Sequence, residues 1–264
     1  MFRADDYVKV ESLGEAYELC KKRSSLVIGG MVWMKMTNVT KRTIVDLSGL
    51  GLDGIEETED AFSIGCMCTL RQLETHEGLN RYFGGIFKEC TRHIVGVQMR
   101  NCATVGGSVW GRFGFSDILT CLLALDAQVE LYHEGILSLE EFAARPVRRD
   151  DRDILVRVII RKDGRRAAYA SQRNSQTDFP LIACCVSNLG RHWFVSIGAR
   201  PARARLARLT EDDFDTLPRL AAEAAGAFSY GTNMRGSGEY RHFLAETYTR
   251  RLMEQLRGRS VKRQ

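Results

Sequence analysis

The sequence predicts an α+β chain arranged as two or three small lobes, and three observations carry that prediction. Short apolar runs with strand character alternate with capped, amphipathic stretches through the first 162 residues, whereas the remainder places strands first and helices last. A chain of 264 residues, 44% hydrophobic and 27% charged, can bury ordinary globular cores, and at that length it divides into lobes more readily than it closes into one ball. Two glycine pairs, Gly29-Gly30 after Leu26-Val27-Ile28 and Gly106-Gly107 after Ala103-Thr104-Val105, follow apolar runs, and the first stands where α/β architectures place ligand loops.

The elements follow in order. Ser12 with Glu15 forms a capping-box signature, and Leu13, Ala16, Tyr17 and Cys20 make an apolar stripe, so a helix runs to about Lys22. Leu26–Ile28 reads as a strand, and Met31–Met36 as the start of a buried helix or strand. Thr43–Leu47 and Ala61–Cys66 read as strands separated by turn residues. Thr69 with Gln72 repeats the capping box and starts a helix ending near Gly78. Asn80–Ile94 reads as helical, with Gly84-Gly85 as a point of close helix packing. Gln98–Gly114 is poorly periodic and reads as a loop, after which Ser116-Asp117 cap an apolar helix through Leu125. Strands are expected at 128–132, 154–160, 167–171, 181–188 and 193–197, and helices near 218–228 and 237–256 with Gly258 as a stop. Lys162-Asp163-Gly164 is the expected boundary before the β-then-α tail.

No apolar stretch approaches the roughly 18 residues of a membrane span, and Met1–Lys9 carries charges where a secretory signal has its apolar core, so a cytoplasmic location without membrane contact is expected. The eight cysteines fall in apolar or helical contexts and are expected as reduced thiols. Net charge is +5, and residues 235–264 hold an excess of the same size, with eight Arg or Lys (Arg235, Arg241, Arg250, Arg251, Arg257, Arg259, Lys262, Arg263) against three Glu. Helical spacing of Tyr240, Phe243, Leu244, Tyr248, Leu252 and Leu256 makes those cations a solvated face or subunit contact, not a nucleic-acid platform.

A glycine pair lets the backbone turn sharply and lets a ligand approach bare N–H groups, which suits a pyrophosphate, and two such loops suit one extended dinucleotide. Neither loop fits G-x-G-x-x-G or the Walker P-loop. Cys66-Met67-Cys68 has one residue between its thiols where zinc knuckles use two to four, and no metal site is expected. The five histidines lack a paired acid or nucleophile at a recognisable spacing, so no catalytic residue is assigned.

The run Gln98-Met99-Arg100-Asn101-Cys102-Ala103-Thr104-Val105-Gly106-Gly107-Ser108, followed by Ser116-Asp117 and Leu122-Leu123-Ala124-Leu125-Asp126-Ala127, resembles a known family. It is similar to the FAD-binding subunit of the molybdenum hydroxylases, the xanthine dehydrogenase and carbon monoxide dehydrogenase group, which carries a run close to R-N-x-A-T-I-G-G-N, then S-D and L-L-A-L-D-A. Leu26-Val27-Ile28-Gly29-Gly30 stands where that family has its first FAD loop, Asp178-Phe179 resembles its D-F or D-I pair, and Ser237 with Glu239-Tyr240-Arg241 resembles its S-x-E-Y-R. The chain departs from the family at Met31-Val32, where Thr-Asp is usual, at Ser108, where Asn is usual, and at Ala170, where some relatives place a Lys near the flavin.

The resemblance implies an α+β fold: a two-lobed FAD-binding domain of PCMH type over 1–162, with lobes of about 1–58 and 59–162, then a C-terminal domain of antiparallel sheet plus helices over 163–264. It implies that Val27, Ile28, Gly29, Gly30, Met31, Val32 and Trp33 wrap the FAD pyrophosphate through backbone amides. Thr104, Gly106, Gly107 and Ser108 would complete the cradle, Asp117 would bond the ribitol or ribose, and Ile94 and Leu155 would contact the rings. It further implies an electron-transfer subunit of a hetero-oligomer, taking electrons from a 2Fe-2S subunit, beside a molybdopterin subunit, and passing them through FAD to NAD or another acceptor. The cysteines lack the Cys-x4-Cys-x2-Cys spacing of a plant-type cluster, which places those centres on separate chains. Alternatives are a free-standing FAD oxidoreductase, which needs an acid or base over the flavin, and an assembly subunit that has lost FAD through Met31-Val32.

Overall fold

The computed structural model describes residues 1–147, 152–212 and 216–261. Strand β1 (Arg3–Lys9) leads through helix α1 (Leu13–Cys20) to β2 (Ser25–Ile28), and β3 (Thr40–Asp46) returns between them as the centre of a parallel sheet of order β1-β3-β2. Strand β1 escapes the sequence reading because it is an edge strand, mostly exposed, whose charges hide the two-residue period. The α1 cap is half a box: the Ser12 hydroxyl accepts the Glu15 amide, but the Glu15 carboxylate accepts from the Glu11 amide instead of that of Ser12. Met31–Met36 is neither a buried helix nor a strand. It is a loop ending in one 3-10 turn, Met34–Met36, with none of its residues buried.

The second sheet is antiparallel, with order β4-β5-β8-β6-β7 for β4 (Ile55–Glu57), β5 (Ala61–Gly65), β6 (Gln128–Leu131), β7 (Gly135–Ser138) and β8 (Leu155–Arg161). The first sheet ends with β3 at Asp46, and the second begins with β4 at Ile55. Between β5 and β6 run six helices: α2 (Leu70–Thr75), α3 (Glu77–Tyr82), α4 (Ile86–Thr91), α5 (Val97–Cys102), α6 (Val105–Trp110) and α7 (Asp117–Ala124); α8 (Leu139–Ala144) follows β7. Thr69 and Gln72 form the complete capping box of α2, but that helix stops at Thr75, where the His76 ring caps α3 by accepting the Leu79 amide. Gly84-Gly85 is not close helix packing. Both residues have positive φ, 67° and 85°, and a methyl group on Gly85 would touch nothing within 4 Å, so the pair is the turn that separates α3 from α4. The expected loop 98–114 holds α5 and α6, each six residues long and too short to show a helical period.

The third sheet, order β12-β11-β10-β9, is antiparallel and comprises β9 (Arg166–Gln172), β10 (Ile182–Leu189), β11 (His192–Gly198) and β12 (Arg205–Thr210). Helices α9 (Leu217–Gly226) and α10 (Gly238–Val261) complete the chain, and α10 runs through Gly258 without stopping. Both faces of this sheet are covered, which explains the continuous burial of β10. Ala167, Tyr169, Ala183 and Cys185 belong to the core that contains the wholly buried α7, whereas Ala168, Ile182, Cys184 and Val186 pack with α9 and α10. The adjacent Cys184 and Cys185 thus serve opposite faces. All eight cysteines are free thiols, and seven are buried.

The α10 cations are not uniformly solvated: Arg241 is 1% exposed and donates to the Leu181 and Ala199 carbonyls and to Asn233. Lys262 and Arg263 lie outside the described residues. No helix among the described residues is long and apolar enough to cross a membrane.

Candidate cofactor site

A cavity of about 590 Å³, within the usual range for small-molecule sites, opens at the C-terminal end of β2. Every residue proposed from the sequence lines it: the run from Val27 to Trp33, Ile94, Thr104, Gly106, Gly107, Ser108, Asp117 and Leu155. Residues from all three sheet regions meet there, because Arg173, Asp178 and Phe179 close it from the C-terminal side.

The first glycine loop has the chemistry of an anion cradle. Among the described residues the amides of Gly29, Gly30, Met31, Val32 and Trp33 have no protein acceptor, so a run of donors stands at the cavity wall. Its glycines are required by space. A Cβ on Gly30 would lie 1.6 Å from the Cys102 carbonyl oxygen, and one on Gly29 would lie 2.4 Å from the Thr104 hydroxyl. Met31 holds φ at +56°, a left-handed conformation that costs a side chain about 1 kcal/mol or more and that turns the loop toward the cavity.

The second glycine pair behaves differently. It lies inside α6, and its amides are taken: Gly106 donates to the Cys66 carbonyl at 2.8 Å, Gly107 to the capping Thr104 hydroxyl at 3.1 Å, and Ser108 to the Thr104 carbonyl at 3.1 Å. Thr104, Gly106, Gly107 and Ser108 nevertheless line the same cavity as the first loop, with their amides already bonded within the protein. Close packing requires a glycine at 106, since a Cβ there would come within 2.6 Å of the Cys66 carbonyl oxygen.

Asp117 is the first residue of α7, and Ser116 is its cap. The expected bond from the Asp117 carboxylate to a ligand hydroxyl meets competition, because one of its oxygens accepts from Tyr169 and from Arg173, the latter at 2.7 Å. Burial pushes this carboxyl above the usual value, against the opposing pull of Arg173 and Tyr169. Arg173 also donates to the Asp178 carbonyl, so it ties the α7 terminus to the loop before β10. His93 stands on the same wall with its Nδ1 buried and unpartnered, and burial, then Arg92 and Arg173, lower its pKa.

Sequence reading missed the aromatic wall. Trp33 stacks on Phe179 (5.6 Å between centroids) and touches Phe113 and Phe115, while the Arg235 guanidinium lies 5.1 Å over Phe179 and pairs with Asp178 at 2.9 Å. The signal available was Phe113-Gly114-Phe115 beside the glycine motif, but the contact with Phe179 spans the fold and leaves no local period. Methionines Met31, Met34, Met36, Met67 and Met99 add adaptable apolar lining.

Residues 1–162 match the family described as the FAD binding domain in molybdopterin dehydrogenase. The chain belongs to that family. It is 24% identical to the uncharacterized protein YgfM of Escherichia coli over 246 residues, covering 91% of this chain and 92% of that one. Over 139 residues it is 30% identical to a putative xanthine dehydrogenase FAD-binding subunit, XdhB, of Escherichia coli, which covers 50% of this chain and 47% of that one. The reconstituted CO dehydrogenase from Oligotropha carboxidovorans has the same fold, with a TM-score of 0.83 at 22% identity, over 96% of this chain and 98% of that one.

FAD is the cofactor of this domain, and the residues present fit it. The unpaired amides of 29–33 suit a pyrophosphate, and the apolar and aromatic walls suit planar rings.

Proposed function

We propose that this chain is the electron-transfer flavoprotein subunit of a xanthine dehydrogenase-like molybdenum hydroxylase, relaying electrons from a partner 2Fe-2S centre to NAD or another acceptor. As an FAD-binding subunit of the molybdenum hydroxylase family it belongs to an oxidoreductase group; the direction of electron flow, the acceptor and the location of the metal centres are parts of this reading. The observation that carries it is the run of amides at Gly29–Trp33 facing a cavity of about 590 Å³.

When bound, FAD supplies the redox chemistry, accepting and releasing electrons singly or as a hydride. The protein binds and orients. Amides of 29–33 donate to the pyrophosphate, Ile94 and Leu155 contact the rings, and Trp33 with Phe179 excludes water. Asp117, held by Arg173 and Tyr169, borders the ribityl side. In this reading residues 1–162 form the cofactor domain, while 163–264 supply Arg173 and Phe179 as its outer wall. Placing the iron-sulfur centre on a separate chain is supported by the thiols themselves: burial pushes Cys66 and Cys68 up to about 12, which suits inert packing residues more than cluster ligands.

Titrating the purified chain with FAD, while following flavin absorbance and identifying cofactor released on denaturation, tests the reading. One FAD per chain is expected. A folded chain that takes up none would overturn it. Reduction of the loaded chain by NADH, followed through the same bands, tests NAD as acceptor partner.

A further inference from the structure

One wall of the cavity is built by the turn 92–95 and by α5 with its following residues, and neither piece owes its place to the apolar core alone. Val95 is a β-branched residue at φ +48° and 51% exposed, so its backbone is held against its own preference without the help of side-chain burial. Local backbone bonds shape the turn, the Ile94 amide donating to the Thr91 carbonyl at 2.8 Å and the Val95 amide to the His93 carbonyl at 2.9 Å, and what ties it to α5 and α2 is Arg100. This side chain is buried, its Nε donates to Glu74 at 2.9 Å, and its Nη1 donates to the carbonyls of Arg92 and Ile94 at 3.3 and 3.2 Å.

Glu74, on α2, is buried as well; Arg100 Nη2 donates to its other oxygen at 3.3 Å, and Arg71 adds a third bond at 2.9 Å. Burial raises its carboxyl, but bonds from Arg71 and Arg100 outweigh that and hold it below the ordinary value. A buried pair of this kind is weak evidence for stability, since apolar residues of similar volume often replace it without loss; what such side chains do not replace is direction. Here the direction matters twice. At one end of α5 the pair fixes the turn that carries Ile94. At the other end, Cys102 presents its carbonyl to Gly30, Ala103 accepts the Leu70 amide at 2.8 Å, and Thr104 contacts Gly29.

We propose that the Arg100–Glu74 pair is the positioning device of this wall, holding the 92–95 turn and, through α5, the 102–104 segment against the Gly29–Gly30 loop, so that FAD affinity depends on it beyond its share in stability. The inference rests on the reading of the cavity as the FAD site and names residues that do not themselves touch the cofactor.

Two variants of the full chain test it, with FAD dissociation constant and thermal midpoint measured for each beside the wild type. Arg100→Lys keeps the charge opposite Glu74, but a single ammonium cannot span the carboxylate and both carbonyls at once. It is expected to fold and to bind FAD about tenfold more weakly, with a changed flavin fluorescence that marks a displaced ring. The double variant Glu74→Leu with Arg100→Met replaces the pair by apolar volume and is expected to keep its midpoint while losing at least as much affinity. Equal FAD affinity in wild type and Arg100→Lys overturns the inference and leaves the cofactor reading standing, whereas a folded wild type that binds no FAD overturns both. If the double variant fails to fold, Arg100→Lys alone decides.

Discussion

The two glycine pairs on the cavity look alike in sequence but leave their amides in opposite states. At Gly29-Gly30 the missing side chains let a neighbouring loop approach, and the amides that follow stay unpaired; at Gly106-Gly107 the amides are all bonded and the glycines sit within a short helix. A glycine motif therefore announces a close approach without saying what approaches. In the first loop it is both protein and, by the proposed reading, pyrophosphate. In the second the protein already takes the amides, while both glycines still line the cavity.

Replacing Gly30 by Ala should break this contrast most severely. The new Cβ would stand 1.6 Å from the Cys102 carbonyl oxygen, a backbone atom that cannot swing away, so the loops must part. We expect a loss of about 4 kcal/mol or more in urea unfolding, together with FAD binding. A Gly30→Ala protein with wild-type midpoint and affinity would show that the loops are not packed as described.

Next in size is Glu74→Gln, expected to cost about 3 kcal/mol near neutral pH because it leaves Arg100 buried without its counter-charge. The sign of its pH dependence follows from the lowered pKa of Glu74. Its stabilisation is fully present above the ordinary glutamate value of 4.5 and is lost as pH falls through the lower folded value. The gap between wild type and Glu74→Gln in denaturant unfolding should therefore be constant above about pH 5 and close as the solution is acidified. A gap that widens toward acid would mean that Glu74 is not the anchored partner of Arg100.

Within α6 the same substitution should give two results. Gly106→Ala places a Cβ 2.6 Å from the Cys66 carbonyl oxygen and is expected to cost about 2 kcal/mol. Gly107→Ala meets only the Thr104 hydroxyl at 3.1 Å, and the helix propensity gained, about 1 kcal/mol, offsets that contact. Similar midpoints for both would erase the distinction between the two glycines.

Much of this was legible in the sequence. Complementary spacing of Thr69 and Gln72 gave α2, and Ser116 gave the start of α7, because caps are local and recur at fixed offsets. The fourteen candidate residues came from motif resemblance, and they line one cavity. What stayed hidden was relational. Which amides are free depends on partners such as Cys66 and Thr104, and the aromatic wall joins Trp33 to Phe179 across the chain. The strands β1 and β12 were hidden for a simpler reason: both are charged edge strands in which polarity masks alternation.

The smallest expected effect concerns Met31, where the first loop is strained and the second is not. Its φ of +56° is a conformation that glycine adopts freely, so Met31→Gly relieves steric strain of about 1–2 kcal/mol while adding backbone freedom to the unfolded chain. The net gain should be below about 1 kcal/mol, read as a small rise in thermal midpoint. FAD affinity should hold or fall slightly, because the amides keep their direction but the loop loses preorganisation. If Met31→Gly instead lost stability, Met31 would be anchoring the loop through its side chain, and the cavity's methionines would be structural supports of the cradle, no longer adaptable lining.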